Sequence, residues 1–113
     1  IGKWQSTWEQ IDKVENGKEV VTSDEAYTNG LREFKADGTC TEGYADGGYT
    51  ETCRWSLKDN KLTISYDDGY SDVLTVNELT ATKLVLVFED WDILDDGSEE
   101  LDNITTTTYK KID

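Results

Sequence analysis

"CRWSLKDNKLTI", Cys53–Ile64, decides the fold. A two-residue Asp59-Asn60 turn inside it pairs Leu57 with Leu62 and Trp55 with Ile64. Side chains alternate along a strand, so these four share one face. A face carrying four large apolar groups belongs in a core, and a slip of one residue would turn them all into water. The stretch therefore reads as an antiparallel hairpin, dry on one side and wet on the other.

The register extends upstream. In "GYADGGYT", 43–50, an Asp46-Gly47 turn suits type I′, where both central residues take positive φ. It sets Tyr44 opposite Tyr49 and Cys40 opposite Cys53. Counted from that turn, the cysteines fall at a non-hydrogen-bonded pair, on the same side as Trp55 and Leu57. "FKADGTC", 34–40, tests this register. A two-residue Asp37-Gly38 turn would force either Phe34 or Trp55 into water. A three-residue loop, Ala36-Asp37-Gly38 with Gly38 left-handed, pairs Phe34 with Cys40 instead. Phe34, Cys40, Cys53, Trp55 and Leu57 then face one way.

The rest of the chain continues in the same style. Short runs of Thr, Val, Ile and aromatics alternate with turns, and strands are expected near 2–13, 31–36, 39–45, 49–58, 61–66, 70–77, 83–90 and 103–112. The short connections imply antiparallel neighbours. Two segments read differently. "VENGKEVVTSDEAYTNG", 14–30, fits a long loop, an irregular strand pair or a helical turn around 23–27. "WDILDDGSEELD", 91–102, reads as an acidic connection. With 113 residues, no repeat and no linker, one domain spanning 1–113 is expected.

Composition narrows the chemistry. The chain has 25 acidic and 11 basic residues, a net charge of -14, so a nucleic-acid partner is excluded and anionic membranes are disfavoured. No run is long and apolar enough to span a bilayer as a helix. Histidine is absent, which removes the commonest general base, the Ser-His-Asp and Cys-His arrangements and ordinary zinc sites. The remaining carboxylates sit mostly in turns, where Asp bonds its own backbone. The runs 67–72 and 89–102 lack the spacing of a calcium loop. No catalytic residue, cofactor or metal is expected.

Only 35% of residues are apolar, but four Trp, six Tyr and two Phe supply large buried areas. Trp8, Phe34, Trp55, Tyr66 and Phe88 fall at candidate inward positions, and Trp91 at a candidate rim. These six are the candidate ligand-binding residues. Two readings stand side by side: the rings fill the interior, or they surround one small ligand.

In their order along the chain, "IGKWQ", "FKADGTCT", "CRWSLKDNKLTI", "VNELTATKLVLVF" and "TTTTYKKI" resemble the small lipocalin-like domains of Bacteroides-type bacteria. Gly2-Lys3-Trp4 resembles the Gly-x-Trp signature of lipocalins at large. The resemblance implies an all-β, eight-stranded antiparallel meander barrel. It also implies export to the periplasm or cell surface from a lipid-anchored precursor, consistent with a start at Ile1 rather than Met. The Thr-Asp-Tyr segment and the late Arg of larger lipocalins are missing, and Lys110 or Lys111 stands in to cover Trp4. In an exported protein the opposed Cys40 and Cys53 form a disulfide; reduced, they serve as small apolar groups.

Two functions follow. One is a monomeric barrel holding a small apolar or aromatic molecule at the end away from Trp4, neutral or cationic because the acidic charge repels carboxylates. The other is an envelope protein-protein module, inhibitor-like in one variant, with a filled barrel.

Overall fold

A computed structural model describes residues 2–15 and 17–112; readings that touch Ile1, Asn16 or Asp113 lie outside the described residues. Among the described residues nine strands occur: β1 (Gly2–Glu15), β2 (Lys18–Ala26), β3 (Gly30–Phe34), β4 (Thr39–Tyr44), β5 (Thr50–Lys58), β6 (Lys61–Ser65), β7 (Ser71–Leu79), β8 (Lys83–Ile93) and β9 (Glu99–Lys111). From β3 to β9 each pairs antiparallel with the next, and β9 pairs with β1 to close the ring. β1 meets β3 with its first residues and β2 with its last. Hence β2 and β3 occupy one place in the wall, and nine strands make a closed eight-stranded meander barrel.

The hairpins keep the registers expected of them. Trp55 faces Ile64, and Leu57 faces Leu62; Asp59 supports that turn at φ 56. Phe34 pairs with Cys40 across a loop in which Gly38 sits at φ 88 and donates to the Lys35 carbonyl at 3.1 Å. Cys40 pairs with Cys53. The turn at Asp46-Gly47 is not type I′, because Gly47 has positive φ and Asp46 does not. The Asp46 carboxylate instead accepts from the Gly48 N–H at 2.8 Å. Here the loop runs from Tyr44 to Tyr49, with the Tyr44 N–H on the Tyr49 carbonyl. That shifts the bonding phase by one residue and places Cys40 and Cys53 at a hydrogen-bonded pair, not a non-bonded one.

Both ambiguous segments are largely strand. The 14–30 segment continues β1 and turns back as β2, the irregular strand pair among the alternatives. The acidic connection of 91–102 shrinks to a turn at 94–98: β8 runs on to Ile93, β9 starts at Glu99, and Trp91 pairs with Leu101. Their acidic residues read as solvent, but a neighbour supplies the ladder that their own side chains do not favour. Between β2 and β3 the chain crosses close to β1. Gly30 donates to the buried Ser6 hydroxyl at 2.9 Å, and a Cβ there would meet that same oxygen at 2.9 Å.

Trp4, Phe34, Leu62 and Leu84 pack the end of the barrel next to Gly2. Lys111 Nζ lies 5.9 Å from the Trp4 ring centroid, the cover expected of one of the two late lysines. Ile64, Leu74, Leu86 and Tyr109 fill the waist above them. Among the described residues no helix is long and apolar enough to cross a membrane.

Candidate functional site

Above the waist the barrel is hollow. A cavity of about 330 Å³ opens at the end away from Trp4. Leu74, Leu86 and Phe88 give it apolar wall, and Tyr44 and Tyr49 stand at its mouth with ring centroids 6.1 Å apart. Its polar centre is Arg32. The guanidinium donates to Glu42 Oε2 at 2.7 Å and to the Tyr109 hydroxyl at 3.1 Å. Glu42 lies directly across the β3–β4 ladder from Arg32, so the pair is set by register. Glu9 and Asp72 also line the cavity. Among the described lining residues there is thus one cation against three carboxylates.

The six expected ligand-binding residues separate into three groups. Phe88 lines the cavity. Tyr66 packs on the core beside it, its hydroxyl donating to Asp72 at 3.2 Å. Phe34 and Trp55 lie at the closed end instead, edge to face at 5.6 Å, with the Trp55 indole N–H bonded to the Lys35 carbonyl at 2.9 Å. Trp8 is 45% exposed and its indole bonds Asp24 on β2. A bulge at Thr7 adds one residue to β1, so Glu9 rather than Trp8 turns toward the cavity. Trp91 is 48% exposed. It borders a separate cleft with Val73 and Phe88, where β7 and β8 cease to pair beyond Thr75 and Val87.

Arg32, Glu42 and Tyr109 were not among the expected residues. The signal was parity: Arg32 lies two before Phe34 and Glu42 two after Cys40, so both share the inner face. Their charge argued for water, and the pairing of the two overrides it. Among the described residues no group of three or more acidic or sulfur side chains comes together to hold a metal ion.

Burial, followed by the Glu42 carboxylate, holds the Tyr66 hydroxyl well above its ordinary value of 10.0. Burial likewise raises the thiols of Cys40 and Cys53 above their ordinary 9.0. A raised value means that the folded protein holds its protons longer than the unfolded chain. The associated stability is complete below the unfolded value and is lost as pH rises past it. Urea midpoints of the reduced protein should hold steady up to about pH 9 and then fall, and Tyr66→Phe should flatten the part of the fall above about pH 10. Equal slopes in the two proteins would remove Tyr66 from the account.

The model of the lipocalin-like domain (Lipocalin_4) matches residues 1–86. No curated protein matches the chain. Among solved structures, a deswapped triple mutant of bovine odorant-binding protein is 16% identical, over 98% of this chain and 72% of that one, with a TM-score of 0.50. Bovine odorant-binding protein in complex with a selenium-containing odorant is 14% identical, over 99% of this chain and 69% of that one, with a TM-score of 0.49. At 16% identity the first likeness concerns the fold alone.

Proposed function

The chain belongs to the lipocalin-like domain family, and from that premise we propose that it holds one small apolar or aromatic molecule, neutral or cationic, in the open half of its barrel. The cavity beside Arg32 carries this reading. Its volume of about 330 Å³ falls in the range of small-molecule sites, and apolar walls with a few convergent polar groups are their usual lining. The closed end holds only about 50 Å³ of space between Trp4, Phe34 and Trp55, too little for a ligand. Phe88, Tyr44 and Tyr49 offer flat apolar faces, and Arg32, Glu42 and Tyr109 offer hydrogen bonds at depth.

The test is titration with N-phenyl-1-naphthylamine, an uncharged aromatic dye whose emission rises in apolar surroundings. Saturable binding at one site is expected, weakened about tenfold or more in Phe88→Ala, as loss of a buried ring implies. Dye emission that never saturates, or that is indifferent to Phe88, would sink the reading. Native mass spectrometry of protein purified from its own host would identify what the cavity carries.

A second reading has one observation in its favour. Tyr44, Tyr49, Tyr70, Trp91 and Ile93 are exposed, Ile93 by 77%. Apolar groups left in water suit a partner protein at the envelope. Retention of the dye by the free protein, with no loss of these side chains' exposure in the cell extract, would leave the cavity reading in place. Export belongs to the same proposal, and the close Cys40–Cys53 pair supports it.

A further inference from the structure

We propose that Glu42 sets the charge of the ligand: by occupying Arg32 it makes the cavity refuse carboxylates and accept neutral molecules that end in a hydroxyl or carbonyl. The inference rests on the ligand-binding reading above and names the ligand's polar end. Arg32 is the cation of the cavity lining, and a carboxylate would be drawn to it if it stood alone. It does not stand alone. Glu42 Oε2 sits 2.7 Å from Nη1, and the Tyr109 hydroxyl takes Nε. Among the described residues these two bonds occupy Nε and Nη1 and leave Nη2 as the guanidinium's uncommitted donor.

An arriving carboxylate therefore meets a guanidinium already neutralised, with Glu9 and Asp72 as two further negative charges on the walls. A neutral oxygen can accept from Nη2 without that repulsion. Side chains of Arg32 and Glu42 are only 19% and 21% exposed, so water screens their pairing poorly. The direct opposition of the two residues on β3 and β4 fixes the pair in the absence of ligand. Selection is then built into the Arg32–Glu42 pair and needs no rearrangement.

The test is a pair of eight-carbon probes, 1-octanol and octanoate, measured by displacement of N-phenyl-1-naphthylamine from the wild type, Glu42→Gln and Glu9→Gln. The wild type should bind octanol about tenfold or more tighter than octanoate. In Glu42→Gln that ratio should fall by about tenfold or more, because Arg32 is released to a carboxylate ligand. Glu9→Gln removes the same charge without freeing Arg32 and should move the ratio by about threefold or less. Adding Arg32→Gln to Glu42→Gln should abolish the gain in octanoate binding. A ratio unmoved by Glu42→Gln, or moved equally by Glu9→Gln, overturns the role of Glu42 while dye and octanol binding keep the cavity reading intact. If neither dye nor octanol binds the wild type, the cavity reading falls first. Should Glu42→Gln fold poorly, the wild-type ratio decides alone, and octanoate binding as tightly as octanol overturns the proposal.

Discussion

Replacing Trp4 by alanine is expected to lower the free energy of unfolding by about 3–5 kcal/mol. The indole is 3% exposed and belongs to the core cluster with Phe34, Leu62 and Leu84. Its loss removes a large apolar surface from a region that has little slack, since only about 50 Å³ is open there already. Rigid strands on every side limit collapse into the space, so a cavity cost adds to the transfer cost. Lys111 would also lose the ring that its ammonium faces. Trp8→Ala supplies the comparison. Trp8 is outward and 45% exposed, with one indole bond to Asp24, so its loss should cost about 1 kcal/mol or less. Urea unfolding measures both. Equal costs would mean that the two tryptophans do not differ in burial as described.

Oxidation of Cys40 and Cys53 by glutathione disulfide is expected to stabilise the protein by up to about 3 kcal/mol, less any strain. The sulfurs lie 2.6 Å apart and both side chains are buried. A bonded cross-strand pair places its Cα atoms about 5.5 Å apart, within the span that a disulfide accepts. The two thiols would give up two protons and two electrons, and glutathione disulfide would become two glutathione thiols. The bridge joins residues 13 apart in the chain, a short loop, so its entropic effect is moderate. Burial raises both thiols and keeps them protonated at neutral pH, so attack should be slow in the folded protein and faster while β4 and β5 are still assembling. Thiol titration of the unfolded protein before and after treatment, with urea midpoints on both samples, checks this. Two free thiols after refolding in the oxidant, or an unchanged midpoint after bridging, would contradict it.

Much of the wall was legible because turns and core preferences agreed. Asp59-Asn60 and Ala36-Asp37-Gly38 each permitted one register that kept Trp55 and Phe34 dry together. The sequence could not display what depends on a distant partner. β2 and the far ends of β8 and β9 are strands because β1 and β9 lie beside them, and their own Asp and Glu content argued otherwise. The bulge at Thr7 leaves no mark in composition, yet it reverses the faces of Trp8 and Glu9. Aromatic residues were a poor guide to the cavity for a related reason: Phe34 and Trp55 are the right type on the right face but at the wrong depth. Depth along a barrel depends on strand stagger, which only the closed ring defines. Arg32 and Glu42 lay on the inner face by simple alternation, and each alone would be unfavourable there. Only their opposition across two strands makes them a pair.

The seam between β1 and β9 has a consequence for how this chain acquires its shape. Apart from the short β1–β3 ladder, which spans β2, the other ladders of the wall join consecutive strands, but this one joins Trp4 to Lys111 and Lys13 to Asn103. During synthesis the first strand emerges long before its second neighbour exists, and one of its edges stays unpaired in the meantime. Sequential hairpins can accumulate from β3 onward, yet the ring cannot shut until β9 is in place. Such end-to-end contacts carry a high loop-closure cost, so closure should be the late and slow event. Until then Trp4 has no complete shell around it, and the open edge is where another chain would add. The interval before closure is therefore when a holding chaperone would matter most to this protein.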